Sequence, residues 1–166
     1  LLHNASLVHD DIQDADATRR EHAAMWAQHG QDIAICAGDE LISAAYAALA
    51  GVKDARAISA LITLTHRAVS RTVAGQTADL AQTGQALDDI TLYETIASEK
   101  SGPLLGLPVT LGLSVAGALD DIETVERTVR LIAIAYQFVD DIGDWQEDQV
   151  QESLNGVLVL ARANHS

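Results

Sequence analysis

Lysine is nearly absent: Lys53 and Lys100 are the only two, and ten basic residues in all stand against 24 acidic ones, for a formal charge of −14. With no basic patch to neutralise a phosphate backbone, nucleic-acid binding is disfavoured. The single cysteine, Cys36, cannot close an internal disulfide, and no secretory signal pattern is visible, so a reducing cytoplasm is the expected setting. Cys36 itself is read as a small buried apolar residue. Only two prolines interrupt 166 residues that are 48% hydrophobic and rich in alanine and leucine, a composition that favours helices. Strand-like alternation and short-period repeats are missing, which leaves an all-α chain of a length suited to a single domain, residues 1–166.

Apolar spacing predicts five main helices, over residues 1–16, 32–50, 54–83, 91–117 and from 120 into the 140s, and a short one over 154–163. Gly51 is expected to end the second of them. Thr91 and Glu94 form a capping box for the fourth, and Asp120 with Glu123 opens the fifth. Residues 101–119 carry no charge, which reaches the length of a membrane span. Pro103, Pro108 and four glycines within it favour a helix at the centre of a bundle, and no stable membrane span is expected. Leu1-Leu2-His3-Asn4 reads as the middle of an apolar helix, and 149–153 fit no clear element. The chain is therefore expected to be a fragment, with N-terminal helices and part of the C-terminal region missing.

Two stretches carry the chemistry. Ser6-Leu7-Val8-His9-Asp10-Asp11-Ile12-Gln13-Asp14 and Gln137-Phe138-Val139-Asp140-Asp141-Ile142-Gly143-Asp144 each run from apolar helix into Asp-Asp-x-x-Asp. Positions four apart share a helix face, so Asp10 converges with Asp14 and Asp140 with Asp144. Uncompensated carboxylates at the end of a buried helix repel one another and are costly to desolvate, so a cation is expected between them. Hard divalent ions take oxygen ligands, and Mg²⁺ in particular combines one or two carboxylates with waters and substrate phosphates. Two facing motifs would hold a metal-bridged diphosphate. A glycine inside the third predicted helix, in Gly75-Gln76-x-x-Asp79, costs about 1 kcal/mol there, which points to close backbone approach or a polar cavity.

These residues resemble the trans-isoprenyl diphosphate synthases, the family of farnesyl, geranylgeranyl and longer polyprenyl diphosphate synthases. The resemblance rests on an ordered set: HNASLVHDDIQD, Arg19-Arg20, GQDIAICAGDEL, GQTADL, YETIASEKSGPLL and YQFVDDIGD. It implies a helical bundle around a central cavity, a homodimer, and three Mg²⁺ ions held by Asp10, Asp11, Asp14, Asp140, Asp141 and Asp144. The implied reaction is ionisation of an allylic diphosphate and its condensation with isopentenyl diphosphate to a longer linear polyprenyl diphosphate. By the same resemblance Arg19 contacts the allylic diphosphate, Arg20 holds isopentenyl diphosphate, and Lys100, followed by Ser101, draws off the leaving group. Gln76, Asp79 and Gln137 match polar positions of the reaction cavity. Residues one to two turns before the first motif limit product length in the family; here they are the small Ala5 and Ser6, which implies products of twenty carbons or more.

The sequence also departs from the family pattern. Glu21 follows Arg19-Arg20 where the family has glycine, and Trp145-Gln146-Glu147-Asp148 replaces the Gly-Lys-Pro turn after the second motif. Asp140, Asp144 and Asp148 are spaced like the acidic motifs of class I terpene cyclases and squalene-synthase-like enzymes, a second reading. A non-catalytic regulatory subunit of a heteromeric prenyl synthase is a third. A di-metal carboxylate bundle would need Glu-x-x-His pairs, and none occurs.

Overall fold

A computed structural model describes residues 1–164. Its elements are α1 (Leu2–Gln13), a two-stranded ribbon of β1 (Thr18–Arg19) and β2 (His22–Ala23), α2 (Met25–His29), α3 (Gln31–Ala50), α4 (Ala55–Leu80), α5 (Ile90–Ala116), α6 (Ile122–Gln151) and α7 (Gly156–Ala163). A 3-10 turn, Leu119–Asp121, precedes α6. The backbone gathers into two compact units, Leu1–Ile62 and residues from Thr63 onward, with α4 beginning in the first and ending in the second.

In the first unit α1 packs on α3 through small residues. Ala34, Gly38 and Ala45 form the buried face of α3, spaced four and seven apart as one helical stripe requires. The imidazole of His9 fills the space a side chain at Gly38 would occupy, so this glycine is what lets the two helices approach. Cys36, two residues from both Ala34 and Gly38, faces away from that stripe and is exposed, contrary to the buried position expected for it. Gly51 ends α3 with right-handed backbone angles, without the left-handed conformation for which glycine is usually selected. Among the described residues, α3 is the helix long and apolar enough to cross a membrane, by length and composition alone; it carries Asp32, Asp39 and Glu40.

The second unit is built on α5. Its N-cap is Asp89, whose carboxylate accepts from the backbone N–H groups of Thr91 and Leu92; Thr91, the expected cap, instead lies inside the first turn. Pro103 and Pro108 sit within this helix. Buried Gly102 and Gly106 face Ala133 and Val129 of α6, while Leu105 and Val109, on the other side, are about half exposed at 50% and 51%. Residues 101–119 thus bury one face only. Gly117 closes α5 at φ 76°, a left-handed C-terminal glycine. Tyr93, Ala97 and Val159 form the centre of the core, covered by Leu87, Ile90, Phe138 and Leu154. α6 runs on to Gln151, through most of the segment that had no clear pattern. α7 is then capped by Asn155, whose side chain accepts from Val157 and Leu158 N–H.

Candidate functional site

The first acidic motif closes α1. The Asp14 N–H donates to the Asp10 carbonyl at 2.8 Å, so helical geometry persists through the motif and both carboxylates lie on one face. Asp11 is turned elsewhere: it is 4% exposed and accepts a hydrogen bond from Arg19 Nε at 2.5 Å. Arg19 reaches it because the chain doubles back in the β1–β2 ribbon, pairing Thr18 with Ala23 and Arg19 with His22. Trp26 Nε1 pins the returning strand by donating to the Asp16 carbonyl at 2.7 Å. Arg20 and Glu21 form the exposed turn, at φ 51° and 67°. A two-residue hairpin turn of type I′ needs two such left-handed residues, and glycine holds that geometry without strain. Upstream, Ala5 is buried, whereas Ser6 is half-buried and donates through Oγ to the His3 carbonyl.

In the second unit, the predicted polar residues meet where α4 crosses α5. A side chain at Gly75 would overlap the backbone of Glu99 and Lys100, so the glycine marks close approach of two helices, one of the two explanations open from sequence. One turn on, Asp79 accepts a hydrogen bond from Lys100 Nζ at 2.7 Å. Gln76 lies between Gly75 and Asp79 on α4, and Ser101 follows Lys100 half-buried on α5. A second ion pair braces the same crossing, Arg71 donating to Glu99 at 2.6 and 2.7 Å, while Arg67, one turn earlier on α4, donates to Glu126 of α6 at 2.7 Å. The Arg71 hydrogen bonds hold the Glu99 carboxyl below its ordinary range, with burial opposing.

On α6, the two adjacent aspartates of the second motif divide as they do in the first. Asp141 is 3% exposed and its carboxylate is taken up by protein donors: Tyr93 Oη at 2.6 Å, Gly156 N–H at 2.6 Å and Gln137 Nε2 at 2.9 Å. Asp140 and Asp144 are exposed, one turn apart. Partial burial, then the charges of Asp144 and Asp141, push the Asp140 carboxyl above its ordinary range, and Lys100 pulls it down. Burial also raises Asp148, whose carboxylate accepts from Asn155 Nδ2 at 2.7 Å. Tyr93 and Asn155 did not stand out in the sequence. Asn155 had a readable signal as a polar residue directly before an apolar helical run; Tyr93 opens the matched segment YETIASEKSGPLL, but no local pattern gave it a role, because its partner lies 48 residues away.

The donor set fits Mg²⁺. Among the described residues no three His, Cys, Asp or Glu side chains form a ready-made cage, but Mg²⁺ commonly takes only one or two carboxylates and leaves the rest to water and phosphate. Asp140 supplies the telling observation: it stands one turn from Asp144 and beside Asp141, and its carboxyl is pushed up first by partial burial and then by those two negative charges, a repulsion that a divalent ion would offset. Asp11 and Asp141, expected as ligands, have oxygens committed to Arg19 and to Tyr93, Gly156 and Gln137.

The chain, helical apart from one short ribbon, with paired aspartates at the end of α1 and within α6 and a lysine–aspartate pair at a glycine crossing, has the fold of the isoprenoid-synthase class. The geranylgeranyl pyrophosphate synthetase of Pyrococcus horikoshii matches it with a TM-score of 0.79 and 31% identity, over 86% of this chain and 44% of that one. The enzyme of the same name from Geoglobus acetivorans aligns at a TM-score of 0.90 over 99% of this chain and 55% of that one; its 24% identity speaks for the fold alone. In sequence, the chloroplastic geranylgeranyl pyrophosphate synthase 7 of Arabidopsis thaliana is 37% identical over 153 residues, 87% of this chain and 44% of the relative. The polyprenyl synthetase family model matches residues 1–155, and the chain belongs to that family. It spans 41% to 44% of the length of the first curated relatives it matches.

Proposed function

We propose that the protein of which this chain is part is a Mg²⁺-dependent trans-prenyltransferase that condenses an allylic diphosphate with isopentenyl diphosphate. The observation that carries the reading is the repeated division of labour in the two motifs. In each, the middle aspartate is locked by protein donors while the outer pair, Asp10 with Asp14 and Asp140 with Asp144, lies one turn apart on a helix face. These four carboxylates are the ligands we assign to Mg²⁺, three ions per active site. When bound, the ions supply charge neutralisation for the departing diphosphate.

The chain's own groups supply the rest. Lys100, oriented by Asp79, presents an ammonium to the leaving diphosphate, and Ser101 adds a hydroxyl beside it. Arg19, steadied by Asp11, contacts the allylic diphosphate, and Arg20 at the ribbon turn contacts that of isopentenyl diphosphate. Gln76 and Gln137 line the cavity as hydrogen-bonding groups. An apolar helical surround keeps water from the allylic cation until the double bond of isopentenyl diphosphate attacks and a proton is lost to the released diphosphate. The product carries five more carbons, and small Ala5 and Ser6 leave room for twenty or more. A homodimer in the cytoplasm completes the reading.

The test is incubation of the full-length protein with Mg²⁺ and farnesyl diphosphate, with and without isopentenyl diphosphate, products being read by mass spectrometry. A ladder in isoprene steps that requires isopentenyl diphosphate and is lost in Asp10→Ala is the expected result. A hydrocarbon or alcohol from the allylic substrate alone would assign a cyclase. Inactivity alone with activity restored by a second chain would assign a regulatory subunit, a reading with which Glu21 in place of the family's glycine is consistent.

A further inference from the structure

Asp141 is a buried carboxylate that makes no use of its charge toward solvent, and the groups around it come from three helices. Tyr93 Oη reaches it from α5, Gln137 Nε2 from one turn earlier on α6, and the Gly156 N–H from the first turn of α7. Asn155 completes the ring from a different side: its Nδ2 donates to the backbone carbonyl of Asp141 at 2.9 Å and to the Asp148 carboxylate at 2.7 Å. The fit is tight. A Cβ at Gly156 would stand 2.6 Å from both Phe138 and Tyr93, and the Tyr93 and Phe138 rings meet edge to face with centroids 4.8 Å apart.

Such a cradle fixes the roll of α6 about its axis. Asp140 precedes Asp141 by one residue, or about 100° of helix, so a helix that rolled to release Asp141 would swing Asp140 and Asp144 with it. Tyr93 also stands seven residues before Lys100 on α5, two turns away on the same face. The hydrogen bond from Tyr93 therefore sets α6 against the helix that carries the lysine, in the neighbourhood where Lys100 and Asp140 already feel one another's charge. We infer that Tyr93 is a positioning residue for the second acidic motif, acting through Asp141 to hold Asp140 and Asp144 in the orientation that binds Mg²⁺ and diphosphate. This rests on the assignment of Asp140 and Asp144 as metal ligands.

The logic is that of outer-shell hydrogen bonds at metal sites, where loss of one partner costs about 10-fold to 100-fold in metal affinity or activity. Tyr93→Phe removes the hydroxyl and keeps the ring, so packing against Phe138 survives while Asp141 loses one of its donors. In the full-length protein, Mn²⁺ binding in the presence of inorganic diphosphate is followed by electron paramagnetic resonance, alongside the Mg²⁺ dependence of turnover. The expected result for Tyr93→Phe is binding weakened by about 10-fold, with the Mg²⁺ requirement shifted to match and turnover largely recovered at saturating Mg²⁺. Leu87→Ala, which trims the same apolar cluster without touching the cradle, serves as the packing control and lowers the melting temperature with no shift in Mn²⁺ affinity. Unchanged Mn²⁺ affinity in Tyr93→Phe, or an equal loss in Leu87→Ala, overturns the positioning role. Should Tyr93→Phe fail to fold, Asn155→Ser, which keeps an N-cap oxygen but removes the donor to Asp141 and Asp148, is measured in its place under the same criteria. If the unaltered protein itself shows no diphosphate-dependent Mn²⁺ binding, the assignment of the metal ligands fails, and the positioning role fails with it.

Discussion

Lys100 rests against Gly75: the α5 backbone at Glu99 and Lys100 occupies the space that a β-carbon on Gly75 would need, and one turn along α4 the Lys100 ammonium meets Asp79 at 2.7 Å. Backbone, not a flexible side-chain tip, is in the way, so a methyl group there must push the helices apart. Gly75→Ala is expected to cost about 1–3 kcal/mol, the usual range for overpacking, and to stretch the Lys100–Asp79 pair. Thermal unfolding reads the first effect. A fall in turnover larger than that of a Leu87→Ala variant of equal stability reads the second.

The turn between β1 and β2 holds two non-glycine residues at positive φ, Arg20 at 51° and Glu21 at 67°. Left-handed backbone costs an ordinary residue about 1–2 kcal/mol, partly offset by the greater freedom glycine has when unfolded. Glu21→Gly is therefore expected to raise stability by about 0.5–1 kcal/mol while removing a carboxylate next to Arg20. If Arg20 binds isopentenyl diphosphate, the KM for that substrate falls in the variant and the KM for the allylic one does not. Equal KM values for both substrates, before and after, would detach Arg20 from substrate binding.

What the sequence disclosed and what it hid divide along contact range. Helices could be read because their apolar spacing is local, and Gly75 announced itself because glycine inside a periodic segment is a local anomaly. The N-cap of α5 was misplaced by two residues, on Thr91 and not Asp89, because both are competent caps and only the fold chooses between them. A ribbon of two residues per strand is too short for alternation to register. Asp11 and Asp141 are expected as ligands from the motif, which shows which carboxylates are present but not the protein donors each one meets. Their partners, Arg19 and Tyr93, are eight and 48 residues away, and only the second distance is beyond the reach of local patterning. Cys36 was misplaced for a simpler reason: on an apolar helix whose buried stripe is alanine and glycine, residue hydrophobicity does not say which face is inside.

Glu99 offers a pH-dependent test away from the metal ligands. Its carboxyl is held below the ordinary value of 4.5 by hydrogen bonds from Arg71. A carboxylate with a depressed folded pKa contributes stability that is present above the unfolded value and is lost as pH falls through the folded one. The melting temperature of the unaltered protein is thus expected to drop as pH is lowered below 4.5. Glu99→Gln should lose about 1 kcal/mol at neutral pH, given the partial exposure of the pair, and show a shallower acid limb. A parallel acid limb in the variant would mean that Arg71 stabilises Glu99 no more in the folded chain than solvent does.

Product length tests the first unit independently. Ala5 and Ser6 lie one to two turns before Asp10, yet they differ in room: Ala5 is 2% exposed, while Ser6 is half-buried and spends its hydroxyl on the His3 carbonyl. A large ring at position 5 must displace packed neighbours at a cost of about 1–3 kcal/mol, so loss of activity in Ala5→Phe would not separate unfolding from a blocked cavity. Ser6→Phe avoids that ambiguity, because a half-buried site accepts the ring and the lost hydrogen bond is a local one that solvent can replace. If the growing chain passes this turn of α1, the longest product shortens by at least one isoprene unit while the rate of the first condensation changes little. An unchanged product ladder in a stably folded Ser6→Phe would put the floor of the cavity on another helix and leave the small residues here as packing for α1 on α3.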